Sequence, residues 1–288
     1  MISGLTLARN SFHQCLVADN TLSLTGGVAS NADGSQATSR GIALHIAELL
    51  GARSTPKKLA GQRAGKQFEQ AVEKFLKGIF PQFQNLRPGD WLVENLGGSR
   101  SEYQIAKYEP YTHLDDLADA VKDNPMLAAV LGNSYEISPD ILVTRGPEPD
   151  EVINRGLASP LVDNSSGRRA AIRRANQDRR IIHAIVSCKW TLRSDRAQNA
   201  RSEALSVIRN RKGRAPHIMV VTGEPSPTRL ASLALGTGDL DMVYHFALPE
   251  LLEAVARSGN DEAQSMVGLL VDGKRLRDIS DLPLDLAV

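Results

Sequence analysis

The sequence predicts an α/β fold in which a central β-sheet carries helices on its faces. Apolar residues recur at helical spacing in several segments, and short β-branched runs fall between them. No segment approaches the ~20 uninterrupted apolar residues that a membrane-crossing helix needs. The 288 residues allow one large domain or two small ones, at roughly 100–200 residues per domain. The unbroken alternation of elements favours a single domain over 1–288.

Residues 38–50 place Ile42, Ile46, Leu49 and Leu50 on one helical face, and Gly51 ends that helix. In 66–79, Phe68, Val72, Phe75, Leu76 and Ile79 follow the i, i+4, i+7, i+8, i+11 series of an amphipathic helix. A third helix is expected over 113–131, interrupted by Pro125. Strands are expected at 140–144, 183–190, 217–222 and 240–246, where Val, Ile and aromatic residues concentrate. Another helix should cover 196–210, and two more should fill 248–271. Residues 145–180, rich in Gly, Pro, Asn and Arg, read as a long insertion or mobile loop.

Cys15 and Cys188 are the only cysteines, which excludes a disulfide scaffold and a cysteine-based zinc knuckle. The first twenty residues lack a signal-type apolar core and carry Arg9, His13 and Asp19, so a cytoplasmic protein is expected. The net charge of +1 hides an asymmetry. Between Arg168 and Arg214 stand 14 cations and three acids, so that segment carries +11 and the remainder −10. A concentrated cationic segment in a near-neutral chain is the footprint of a polyanion such as a phosphate backbone, or else a solvated, ion-paired face.

Several motifs fail. Gly61-Gln62-Arg63-Ala64-Gly65-Lys66 is one residue short of a phosphate loop, and Gln67 follows where Ser or Thr is needed. The six histidines show no zinc spacing, and no GxSxG elbow is present. More informative are Ser138-Pro139-Asp140-Ile141-Leu142-Val143 and Val186-Ser187-Cys188-Lys189-Trp190. A carboxylate on one strand and a lysine on its neighbour can meet at a sheet edge and hold Mg²⁺ and a phosphate. Ser187 and Lys189 share one strand face. Arg196, Asn199, Ala200, Glu203 and Val207 share a helical face, so Glu203 can point back toward Lys189. Arg193, Asp195 and Arg196 suit guanine O6/N7 and cytosine N4, or alternatively a helix cap with surface ion pairs.

The Asp140 and Lys189 arrangement resembles the PD-(D/E)xK nucleases, with Ser187 where that superfamily usually has an acid. SCKWTLRSDRAQNARSEALSVIRNRKGRAPHI, SPDILVTR, VASNADGS, RPGDW and DGKRLRDISDLPLDLAV together resemble the NgoMIV family of restriction endonucleases, from about Phe12 to Val288. The resemblance implies a restriction-endonuclease-like core with a mixed sheet flanked by helices. It also implies a Mg²⁺-dependent type II enzyme that cuts double-stranded DNA at a palindrome with a CCGG core, GCCGGC cut after its first G to leave 5′ overhangs. A homotetramer, a dimer of dimers engaging two sites, is implied as well. Asp140, Lys189 and Glu203 match the catalytic carboxylate, lysine and displaced acid, and Glu69 matches a further carboxylate near the metals. The Cys188 backbone carbonyl matches a metal-facing position. Arg193, Asp195 and Arg196 match the CCGG readers, while Asp33, Gln62 and Arg229 match other base contacts. The alternatives are a sequence-specific DNA-binding protein without catalysis and a structure-selective repair nuclease on the same core.

Overall fold

The computed structural model describes residues 2–96, 104–122, 124, 126, 129, 137, 139–192, 194–236 and 238–288, with only the backbone of 104 and 194–197. Its elements are α1 (Gly4–Ala18), β1 (Ser23–Thr25), β2 (Val28–Ala29), α2 (Ala37–Leu49), β3 (Arg53–Ser54), α3 (Gly61–Ile79), β4 (Trp91–Asn95), α4 (His113–Lys122) and β5 (Ile141–Arg145). After them come α5 (Asp150–Ile153), β6 (Ile181–Lys189), α6 (Ser194–Asn210), β7 (His217–Thr222), α7 (Pro227–Ala234), β8 (Met242–His245), α8 (Leu248–Arg257), α9 (Asp261–Asp272), β9 (Leu276–Asp278) and α10 (Leu282–Asp285).

A six-stranded mixed sheet runs β4-β5-β6-β7-β8-β9, flanked by helices. The β4–β5 and β5–β6 pairs are antiparallel, and β6 through β9 are parallel. Ile182 to Cys188 of β6 are all buried, as befits a central strand covered on both faces. Helix α3 packs on β4 and β6 with Phe68, Val72, Phe75, Leu76 and Ile79 inward, the face its spacing predicts. A second sheet, β2-β1-β3, is small.

The expected strands and helices lie within a few residues of their predicted bounds, except that α4 is described only to Lys122. The edge strands β4 and β9 were not anticipated. Only Val93 of β4 is buried, and β9 has three residues, so neither carries a strong periodic signal. Residues 146–180 hold the short helix α5 and are otherwise mostly irregular, yet they are tied internally. Arg173 is 3% exposed, grips Asp150 through two bonds of 2.6 and 2.5 Å and donates to the Ser166 carbonyl. Arg173 therefore belongs to the fold and is not available to a polyanion.

One charged cluster fastens the N-terminal helix to the far edge of the sheet. Arg9 donates at 2.9 and 2.6 Å to Glu250 and at 2.9 and 3.0 Å to Asp278. Asp278 also accepts from the Leu248 backbone at 3.0 Å. Burial pushes both carboxyls up, but the bonds from Arg9 outweigh it and hold them below their ordinary ranges. Replacing Arg9 with Met should leave two half-buried carboxylates uncompensated and cost roughly 3–5 kcal/mol, measured by urea denaturation at pH 7. The native cluster's contribution is present above the ordinary carboxylate range and fades as pH falls through the lowered folded values. The deficit of the variant should therefore shrink toward pH 3.

Candidate active site

Strand β5 runs antiparallel to β6, with Ile141 opposite Val186. The residue just before β5 thus faces the last residues of β6. Asp140 occupies that place, and its Oδ2 accepts from the Cys188 backbone N–H at 2.7 Å and from Ser187 Oγ at 3.4 Å. Lys189 Nζ lies 3.5 Å from Asp140 Oδ2 and 3.5 Å from Glu203 Oε2. Ser187 Oγ also lies 3.3 Å from Glu203 Oε2, so its single proton is shared between the two carboxylates. Glu203 comes from α6, on the helical face that the sequence assigns to it. The small hydroxyl at position 187 sits between two carboxylates in a space where a third acid would meet like charge.

Across the other edge of β6 the backbone is pinned. The Lys189 carbonyl accepts from the Gly223 N–H at 3.1 Å and from Thr222 Oγ1 at 2.8 Å. A side chain on Gly223 would meet the Trp190 ring at 2.5 Å, so this turn requires glycine for close approach. Burial works against the Lys189 charge, but Asp140 and Glu203 outweigh it and hold the ammonium above its ordinary range.

A cleft of about 320 Å³ opens here, bordered by Gln62, Glu69, Lys189, Asn199 and Glu203 among others. Gln62 and Glu69 stand seven residues apart and share one face of α3. The failed phosphate-loop run forms the first turns of this helix. Burial, then the neighbouring Asp140 charge, pushes the Glu69 carboxyl up to about 7. Among the described residues, no three His, Cys, Asp or Glu side chains gather closely enough to hold a metal ion. Glu69 therefore borders the Asp140–Glu203 pair without closing a three-carboxylate cage. Cys188 is buried, and desolvation raises its thiol well above the ordinary range, so the thiol has no evident part in the site.

Beside this cleft, a polar cavity of about 620 Å³ is lined by Asn31, Asp33, Lys58, Trp190, Thr191 and Arg229, among others. Arg229 on α7 is ion-paired with Asp33. Ser35, through its hydroxyl and N–H, and then Arg229 hold the Asp33 carboxyl down to about 2. Asp33, Gln62 and Arg229 are thus brought to the same side of the molecule as Lys189. Arg193 lies outside the described residues, and for Asp195 and Arg196 only the backbone, in the first turn of α6, is described. Asn199, which the sequence places on the Glu203 face without a role, lines the cleft. The sequence reading missed Glu224, fully buried in the turn after β7, because a Gly-Glu-Pro-Ser run carries no burial signal.

The family model of the NgoMIV restriction enzyme matches residues 12–288. The type II restriction enzyme NgoMIV of Neisseria gonorrhoeae is 50% identical over 284 residues, covering 98% of each chain. The chain belongs to the NgoMIV restriction enzyme family. A solved complex of the restriction endonuclease PspGI with substrate DNA aligns over 99% of this chain and 92% of that one. The two chains are 15% identical, with a TM-score of 0.26.

As a member of the NgoMIV family, the protein is a type II restriction endonuclease, a site-specific deoxyribonuclease. No helix among the described residues is long and apolar enough to cross a membrane.

The environment of Glu69 yields a test. Its folded pKa of about 7 stands above the ordinary 4.5, so the fold loses stability as pH rises from about 4.5 to 7 and carries the full penalty above that. Glu69→Gln should therefore stabilise the metal-free protein by roughly 1–3 kcal/mol at pH 8 and have little effect at pH 4.5. Thermal denaturation in chelator at both pH values measures this. Equal effects at the two pH values would refute the charge explanation.

Proposed function

We propose that the protein uses Mg²⁺ to cut both strands of GCCGGC after its first G, leaving 5′ overhangs. It works as a homotetramer, a dimer of dimers on two DNA sites, in the cytoplasm. The observation that carries the catalytic part is Lys189 placed 3.5 Å from both Asp140 and Glu203, beside an open cleft. The donor set fits the ion. Mg²⁺ is ordinarily held by one or two carboxylates, completed by water and substrate phosphate oxygens, and not by an all-protein cage. Asp140 and Glu203 are the direct candidates, and Glu69, which borders the same cleft, is assigned to join through water. In a strand, the N–H and C=O of one residue face the same edge, so the Cys188 carbonyl belongs on the Asp140 side, where its N–H already points. When bound, the ion supplies a Lewis acid and eases loss of a proton from water.

The chain's own groups do the rest. Lys189, kept protonated by its two acids, offers a point charge to the scissile phosphate. Ser187 orients Asp140 and Glu203 through its hydroxyl. Arg193, Asp195 and Arg196 are assigned to the CCGG core, where Arg suits guanine and Asp suits cytosine. Asp33, Gln62 and Arg229 are assigned to the remaining contacts, with the Asp33–Arg229 pair on the outer base pair. The opposed signs of that pair match the cytosine amino group and the guanine acceptors.

Digestion of one plasmid with Mg²⁺, followed by run-off sequencing of the ends, tests the target and the cut position. Asp140→Ala and Lys189→Ala should abolish cleavage while leaving specific binding. Glu203→Ala should be severely impaired, and adding Ser187→Glu to it should restore part of the lost rate, because position 187 faces the same space. Full recovery is not expected, since misplacing a catalytic group by about 1 Å can cost ~100-fold. Wild-type cleavage by Glu203→Ala would remove Glu203 from the mechanism. A tetramer on two sites should also cut a two-site plasmid faster than a one-site plasmid, through the raised effective concentration of the tethered site. Equal rates, with a dimer in sedimentation, would reject the two-site reading.

A further inference from the structure

The mechanism leaves the buried carboxylate of Glu224 unused. Glu224 is 0% exposed and lies two residues beyond Thr222, the β7 residue paired with Lys189. Its Oε2 accepts from the Leu192 backbone N–H at 2.7 Å, and its Oε1 accepts from the Ser226 N–H at 3.0 Å. Arg229 Nη1 stands 3.7 Å from the same Oε2, while Arg229 Nη2 pairs with Asp33. One carboxylate thus touches the turn that leads from Lys189 into α6, the first turn of α7, and the guanidinium beside the polar cavity. The loop carrying Asp33 is tied to the same place, because Asn31 Nδ2 donates to the Gly223 carbonyl at 2.7 Å.

Such an arrangement has a cost. Burial pushes the Glu224 carboxyl up, and the Leu192 and Ser226 N–H groups and Arg229 only partly offset that. A buried carboxylate is usually a poor source of stability compared with an apolar side chain. Its geometric yield is different: two backbone bonds fix its direction, and the fixed charge then fixes a guanidinium. Arg229 is gripped by Glu224 on one nitrogen and by Asp33 on the other, so little rotamer freedom is left to lose when it meets a base.

We infer that Glu224 is a positioning residue for specificity, holding Arg229 against the outer base pair and locking the Trp190–Leu192 turn to the same frame. This rests on the reading of Arg229 and Asp33 as the outer-pair contacts. It predicts that loss of the Glu224 charge weakens discrimination at the outer pair, while recognition of the inner CCGG is spared. It also predicts that Glu224 and Arg229 act as one unit, so their effects are not additive.

The experiment compares kcat/KM on short duplexes containing GCCGGC with duplexes changed only at the outer pair, ACCGGT, for four proteins. These are the wild type, Arg229→Ala, Glu224→Gln and the double variant, each checked for a native thermal transition. The expected result is a discrimination ratio at least tenfold smaller in Glu224→Gln, approaching that of Arg229→Ala, with the double variant no worse than Arg229→Ala. Glu224→Asp keeps the charge on a shorter arm and serves if the Gln variant does not fold. It should also narrow the ratio. Slowing of both duplexes by one common factor, or additivity with Arg229→Ala, would reduce Glu224 to a structural residue and overturn the inference. If Arg229→Ala itself leaves the ratio unchanged, the outer-pair reading fails, and the inference falls with it. A narrowed ratio in Arg229→Ala alone would sink only the role of Glu224.

Discussion

The charge on Lys189 organises the active site. The ammonium is mostly buried, with 16% of its side chain exposed, between Asp140 at 13% and Glu203 at 53%. An ammonium in that position would lose its proton or destabilise the fold without the two acids. Each acid reaches it by a different structural route. Asp140 arrives because β5 is antiparallel to β6, so the start of one strand meets the end of the other. Glu203 arrives because α6 follows β6 after a short turn and folds back over the sheet. Thr222 and Gly223 complete the setting by holding the Lys189 carbonyl from the parallel side. The site therefore sits where the antiparallel half of the sheet gives way to the parallel half.

The same accounting explains the cationic segment. Several of its arginines are part of the fold. Arg173 is committed to Asp150, Arg180 to Asp90 and the Thr144 hydroxyl, and Arg201 to Asp239 at 3.2 Å. Others, including Arg168, Arg169, Arg174, Arg179, Arg209, Lys212 and Arg214, are exposed. The exposed group is free to face a phosphate backbone, while the committed arginines are held within the fold. A net charge counted along the chain does not distinguish the two, because it is silent on which acids from distant segments come to meet the arginines.

The histidines show the opposite case, in which packing decides everything. His183 Nε2 donates to the Leu286 carbonyl at 2.8 Å and packs edge-on against Trp91. His245 is buried beside Phe246. Burial lowers both to about 4. They are neutral core residues at physiological pH, in keeping with their scattered spacing.

Periodicity in the sequence was enough to place the amphipathic helix over Lys189, the strand that follows Asp140, the strand bearing Lys189, and the helical face of Glu203. Side-chain repeats of 3.6 and 2 residues are local properties, and burial on one face imposes them directly on the sequence. The long shared motifs carried the family, because a dozen specific residues in order are seldom matched by chance. Tertiary structure alone decided which groups meet. The edge strands β4 and β9 depend on neighbours more than on their own residues. The pairing of Arg229 with Asp33 joins positions 196 residues apart. The burial of Glu224, in a turn of polar and small residues, follows from the approach of Leu192 and Arg229 around it. Contacts of this kind arise from the closing of loops between distant segments, and no local pattern records them.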